Sequence, residues 1–307
     1  WFTLWMKPDD ALTDNNKTLN DYMLLPLHAS SHSPLIPYYS YGSTVAVGSD
    51  VYIIGAPDMA KPSSAVRILD CRSHTWRDGP NMKFAREDAT AVYLDGKIYV
   101  MGGYQEGDES MAWMEVLDIK TQTWSSLASH GDEELRSYGT YLSINVLQGK
   151  IYAMDVNMKD YAYDTKIGTW EVVETLSSGT SIYAWCVIDD VMYGYTVGSN
   201  NCMWYDSKSR KWKEVKGSNL ELSLGSGIGC LAGCMVDLFN CGGKLLVVWI
   251  PRVHGDEAEE KGRIKCAKMG FEKRHGGEIW GKIEWANTLA TVPIKPFDIL
   301  SCVLVSI

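Results

Sequence analysis

The stretch MEVLDIKTQTW, Met114 to Trp124, sets an Asp six residues ahead of a Trp. The same offset recurs in LDCRSHTW ending at Trp76, YDTKIGTW ending at Trp170 and YDSKSRKW ending at Trp212, where Asp70, Asp164 and Asp206 take the place of Asp118. Upstream of each lies a second shared phrase: GSDVYIIGA with Tyr52, DGKIYVMGG with Tyr99, QGKIYAMDV with Tyr152 and DDVMYGYTV with Tyr193. The order never changes, and the period is about 40–50 residues, the length of a four-stranded propeller blade. Each unit divides into an apolar strand, a tight turn, a second strand with the Tyr, a variable loop, a third strand ending at the Asp and a fourth opened by the Trp. An Asp at the first position of a turn accepts hydrogen bonds from the backbone N–H groups that follow. The returning chain then starts the outer strand with an indole that packs between neighbouring blades.

Composition agrees with an all-β chain. The 307 residues are 46% hydrophobic, ample for a full core, and 12 Trp with 17 Tyr against 5 Phe favour strands, while 28 Gly supply turns. The formal net charge of −9 repels nucleic acid and anionic membrane surfaces, and no apolar run approaches the roughly 20 residues of a membrane helix. The eight Cys are scattered with no C-x-x-C pair and no His at zinc-ligand spacing, so they read as reduced thiols of a cytoplasmic or nuclear protein. None of the six His ends a metal-binding run, and no phosphate loop, nucleophile elbow or dinucleotide fingerprint is present. No cofactor and no metal are expected. The chain begins at Trp1 rather than Met, which suggests that a natural N-terminal region precedes it.

These phrases resemble the kelch repeat, a double glycine after the second strand followed by a spaced Tyr and Trp, and nearly the whole chain resembles the plant F-box/kelch-repeat proteins in LDCRSHTW, MEVLDIKTQTW, GKIYVMGG, WCVID and EIWGKIEW. Gly102-Gly103 is the intact double glycine; Gly55-Ala56 is degenerate, and the other repeats lack it. The expected fold is a single six-bladed kelch-type β-propeller, with blades at 41–82, 87–128, 138–174, 181–216 and 230–287. The last of these carries Trp280 and an acidic insertion, HGDEAEEKGR. A closing blade is expected from 298–307 together with 1–28, the C-terminal strand innermost and the N-terminal pair outside, so that no sheet edge is left at the junction. An open five-blade array with a loose N-terminal hairpin is the alternative architecture. Tyr52, Tyr99, Tyr152, Tyr193, Asp70, Asp118, Asp164, Asp206, Trp76, Trp124, Trp170, Trp212, Trp280, Gly102 and Gly103 are assigned to the framework.

Propellers carry function on the loops at the ends of their channel. By analogy with kelch receptors, Tyr38, Tyr39, Tyr41, Arg86, Asp88, Arg136, Tyr138, Tyr183 and Trp185 are expected to rim one mouth and to contact a target protein, since Arg and aromatic side chains dominate interface energetics. The plainer alternative is that the aromatics fill seams between blades and the arginines pair with nearby acids. The resemblance implies the substrate-recognition module of an SCF (Skp1-cullin-F-box) ubiquitin ligase, itself non-catalytic, with an F-box outside this segment docking a Skp1-like adaptor. The other readings are a kelch-propeller enzyme or ligand binder, and an interaction scaffold without ubiquitin chemistry.

Overall fold

In the computed structural model, residues 2–6, 22–26, 44–55, 62–87, 89–103, 112–127, 142–155, 160–173, 182–196, 202–217, 236–249 and 261–293 are described, and among them every regular element is a strand. The first two, β1 (Phe2–Met6) and β2 (Tyr22–Pro26), pair only with each other. The next twenty form five four-stranded sheets. Blade one holds β3 (Thr44–Val47), β4 (Asp50–Ile54), β5 (Val66–Asp70) and β6 (Thr75–Asp78). Blade two holds β7 (Thr90–Leu94), β8 (Lys97–Met101), β9 (Met114–Asp118) and β10 (Thr123–Leu127). Blade three holds β11 (Leu142–Leu147), β12 (Lys150–Asp155), β13 (Asp160–Asp164) and β14 (Thr169–Val173). Blade four holds β15 (Ile182–Ile188), β16 (Val191–Thr196), β17 (Cys202–Asp206) and β18 (Lys211–Glu214), and blade five β19 (Val236–Asn240), β20 (Leu245–Trp249), β21 (Lys261–Lys273) and β22 (Ile279–Pro293). Every pairing within a blade is antiparallel between consecutive strands, and the first strands of successive blades lie side by side.

The Asp-to-Trp offset is a hairpin. Asp118 Oδ1 accepts the backbone N–H of Lys120 at 2.9 Å and of Thr121 at 3.0 Å, and Gln122 then turns left-handed at φ 56° before Trp124 enters β10. Asp70 caps Arg72 and Ser73 in the same way, Asp164 caps Lys166 and Ile167, and Asp206 caps Lys208. The left-handed site is filled by His74, Gly168 and Arg210 in these three. Backbone donation to the ionised carboxylates holds Asp70, Asp118 and Asp164 below the ordinary Asp range; at Asp206 the largest cause is the Lys213 ammonium.

The indoles close the seams. Trp124 packs among Val45, Tyr52, Ile54, Val66 and Ile68 of blade one, and its Nε1 donates to the Pro80 carbonyl at 2.7 Å. Trp170 joins Tyr99, Met101 and Trp113 of blade two, meeting the Trp113 ring edge-on at 5.6 Å. Trp212 lies against Leu147, Tyr152 and Met154 of blade three. Removing such a ring from a seam costs about 3–5 kcal/mol. Trp76 and Trp280 are half-buried; Trp280 covers Gly217 of the preceding blade, and a parallel bridge joins it to Lys216.

Six blades were expected and five are formed by the described residues. The two N-terminal strands make a separate two-stranded sheet whose second strand approaches β22, and residues 298–307, the expected innermost strand, lie outside the described residues. The two ends of the array are apolar. Blade one turns Val51, Ile53 and Leu69 away from blade two, and blade five turns Leu246, Val248 and Cys266 away from blade four, all of them buried.

Candidate functional site

A four-stranded antiparallel meander returns its chain to the starting end twice. The connection from second to third strand and the connection to the next blade therefore share one end, and the two hairpin turns share the other. At the turn end all connections among the described residues are short, with left-handed pairs such as Asp95-Gly96 (φ 49° and 77°), Gln148-Gly149 (51° and 75°) and Asp189-Asp190 (48° and 58°). The long connections all belong to the loop end, which is the end available for variable recognition chemistry.

The ordered floor of that end is the segment 79–87 between blades one and two. It is clamped from both sides: Arg86 and Ser63 exchange backbone hydrogen bonds at 3.0 and 3.1 Å, and the Glu87 N–H donates to the Gly103 carbonyl at 2.7 Å. Gly103 is required twice, by φ 70° and because a Cβ there would stand 2.6 Å from the Glu87 carbonyl oxygen. Gly55, at φ 81°, is the counterpart in blade one, with a Cβ position 3.1 Å from the Arg86 oxygen. The intact and the degenerate glycine motifs thus serve one purpose, close approach of this segment to the ends of β4 and β8.

Beneath the segment lies a buried ion pair. Arg86 and Glu115 both have fully enclosed side chains. The guanidinium donates through Nε and Nη2 to Glu115 Oε2 at 3.2 and 3.1 Å, through Nη1 to the carbonyls of Gly102 and Trp113 at 2.6 and 3.0 Å, and through Nη2 to Ala112 at 2.6 Å. Glu115 also accepts the backbone N–H of Lys83 at 2.9 Å and of Phe84 at 3.3 Å. Burial pulls the Arg86 guanidinium below its ordinary value, and Glu115 opposes that shift. One side chain ties 83–86 to the ends of β8 and β9.

Arg86 is therefore corrected from a rim contact to an anchor, and its partner is a strand residue rather than one of the neighbouring loop acids. Trp185 is also withdrawn from the rim: at 4% exposure it sits in the seam between blades three and four, and its carbonyl accepts from Asn145 Nδ2 at 3.0 Å. Tyr183 is placed on β15, but its side chain lies outside the described residues, as do Tyr38, Tyr39, Tyr41, Asp88, Arg136 and Tyr138 altogether. Segment 79–87 presents Asn81, Lys83, Ala85 and Glu87 to solvent at the loop end, with Phe84 partly exposed, a ridge the sequence reading did not single out. Its signal was available in MKFARE, where Met82 and Arg86 point inward and the residues between them do not.

No group of three or more His, Cys, Asp or Glu able to hold a metal occurs among the described residues. Burial pushes the Cys186 thiol up to about 12 and raises the Cys202 thiol as well, so both stay protonated and unreactive.

Residues 1–290 match the family model described as FKB95, Kelch-repeats domain. Over its whole length the chain is 44% identical to one F-box/kelch-repeat protein of Arabidopsis thaliana and 38% identical to a second, covering 76% of each; a third, also from Arabidopsis thaliana, is 39% identical over 91% of this chain and 71% of its own.

Proposed function

The chain belongs to the FKB95 kelch-repeat family of β-propellers, and from that membership we propose that it is the target-binding module of an SCF-type ubiquitin ligase, working in the cytoplasm or nucleus. The observation that carries the reading is the 44% identity, across the whole chain, to a protein named for both an F-box and kelch repeats. In this reading the loop end grips a target protein while an F-box elsewhere in the native polypeptide docks a Skp1-like adaptor. The propeller catalyses nothing: it holds target lysines near a charged conjugating enzyme and raises their effective concentration. Tyr38, Tyr39, Tyr41, Asp88, Arg136, Tyr138 and Tyr183 remain proposed contacts, joined by the ridge at Lys83, Phe84, Ala85 and Glu87.

Ring closure belongs to the same proposal. The apolar faces of blades one and five call for a covering unit, and β1–β2 with the predominantly apolar segment ILSCVLVSI, residues 299–307, has the composition of one. Affinity capture with the full native polypeptide tests the function. Recovery of the adaptor together with a protein whose half-life lengthens on deletion of this gene is the expected result. Recovery of neither, with no lifetime changed, would refute it.

A further inference from the structure

The outer hairpin of blade four departs from its counterparts in charge. The turn after the Asp cap carries one cation in each of the first three blades: Arg72, Lys120 and Lys166. Blade four carries Lys208 and Arg210 in the turn and Lys211 at the start of β18, all exposed and none in an ion pair or side-chain hydrogen bond among the described residues. The local acid cannot neutralise them. Asp206 Oδ2 accepts from Lys213 Nζ at 2.6 Å and from Ser209 Oγ at 2.7 Å, and its Oδ1 takes the Lys208 N–H at 3.1 Å. Lys213 lies over the Trp204 ring at 5.5 Å and Tyr205 meets Trp212 edge-on, so the hairpin is a fixed platform. Within the blade the other acids at this end, Asp189 and Asp190, belong to its inner turn, two strand spacings or roughly 10 Å away, about one Debye length at 0.1 M salt.

We infer that Lys208, Arg210 and Lys211 form a docking surface for an acidic protein segment, at the end of the propeller opposite the target-binding loops. Charge complementarity commits the occupant. Three uncompensated cations on a rigid turn attract a short run of Asp and Glu, whereas the chain's net charge of −9 repels an extended polyanion over any distance beyond the patch. Because the two ends are served by different connections, a partner held here leaves the loop end free, and one propeller can hold two proteins together.

The test uses the full chain and a fluorescein-labelled oligo-glutamate peptide, with binding read by anisotropy at 0.1 M salt. K208Q/R210Q/K211Q is expected to weaken binding about tenfold, the sum of three exposed ion pairs. Gln is tolerated at the left-handed position, since Gln122 occupies it in blade two. The control R72Q/K120Q/K166Q removes as much charge from the same end and is expected to leave binding within about twofold. Equal loss in both variants, no saturable binding, or tighter binding of a single-stranded oligonucleotide of equal charge would each overturn the inference. Thermal unfolding of each variant shows whether the hairpin is intact; a K208E/R210E/K211E variant that is folded and still binds oligo-glutamate would overturn it too. Failure here leaves the capture experiment at the loop end untouched.

Discussion

Replacing Glu115 with Gln removes one charge from the interior and almost no volume. The Arg86 guanidinium then keeps its three carbonyl acceptors, Gly102, Ala112 and Trp113, but loses the anion that offsets its desolvation. Of the two backbone donors on the carboxylate, Lys83 and Phe84, one then faces an NH2 group and loses its acceptor, and the other keeps only a neutral carbonyl. A buried charge stripped of its partner costs about 3–5 kcal/mol. For a domain of this size each kcal/mol moves the midpoint by about 2–4 °C, so E115Q is expected to unfold roughly 10 °C below the parent. The assay is thermal denaturation followed by Trp fluorescence, supported by urea titration with a fixed m-value. The pair R86M/E115L removes both charges but also the side-chain partners of three carbonyls and two N–H groups, so it is expected to recover at most part of that loss. An E115Q protein within about 1 kcal/mol of the parent would refute the claim that this pair anchors segment 79–87.

Three further outcomes follow from the same geometry. Gly in place of His74, Gln122 or Arg210 relieves about 1–2 kcal/mol of left-handed strain against about 0.5–1 kcal/mol of added unfolded-state entropy, so each is expected to stabilise by roughly 0.5–1 kcal/mol, whereas Gly168→Ala destabilises; equilibrium urea unfolding decides it, and a destabilised Q122G would contradict it. Asp237, on β19 and facing the apolar side of blade five, has its carboxyl pushed up to about 6 by burial, so the native state holds a proton that the unfolded chain releases near 3.8. Its contribution is therefore present below pH 4 and lost as pH rises through 6, and D237N is expected to abolish a fall of about 1–3 kcal/mol across that window, measured as stability against pH. The four capping carboxylates act in the opposite sense: with folded values below 3.8, their contribution is present above that pH and lost as pH falls further, so D118N is expected to flatten the acid limb between pH 4 and 2, and an unchanged limb would argue against the caps.

The repeat was legible because each of its marked residues is forced locally. Asp must receive the N–H groups of its own turn, and Trp must follow at hairpin distance, so both survive as a fixed spacing however the blades are arranged. Closure was not legible in the same way, because it depends on which distant segments pair rather than on any local rule. Arg86 was misplaced for a different reason. A cation in a loop reads as surface, and its partner occupies the strand position that holds Arg67, Tyr161 and Met203 in blades one, three and four, so comparing repeats gives no hint of a pair. The usable clue was Glu115 itself, the lone charge within WMEVL, an otherwise apolar run that is buried up to the capping Asp118.

Trp185 shows where alternation stops carrying information. In IYAWCVI, β15, the residues Ala184, Cys186 and Ile188 face blade five while Trp185 and Val187 face blade three. A strand covered on one side alternates apolar with polar, and the polar positions mark solvent; a strand between two neighbours is apolar on both faces and marks nothing. The aromatic that looked like a rim contact is in the seam because a blade inside a propeller has no solvent face for it to reach. With both sheet faces of each inner blade consumed by packing, and the turn end held to short connections among the described residues, the loop end is where this fold can change the length and chemistry of its connections without unmaking its core.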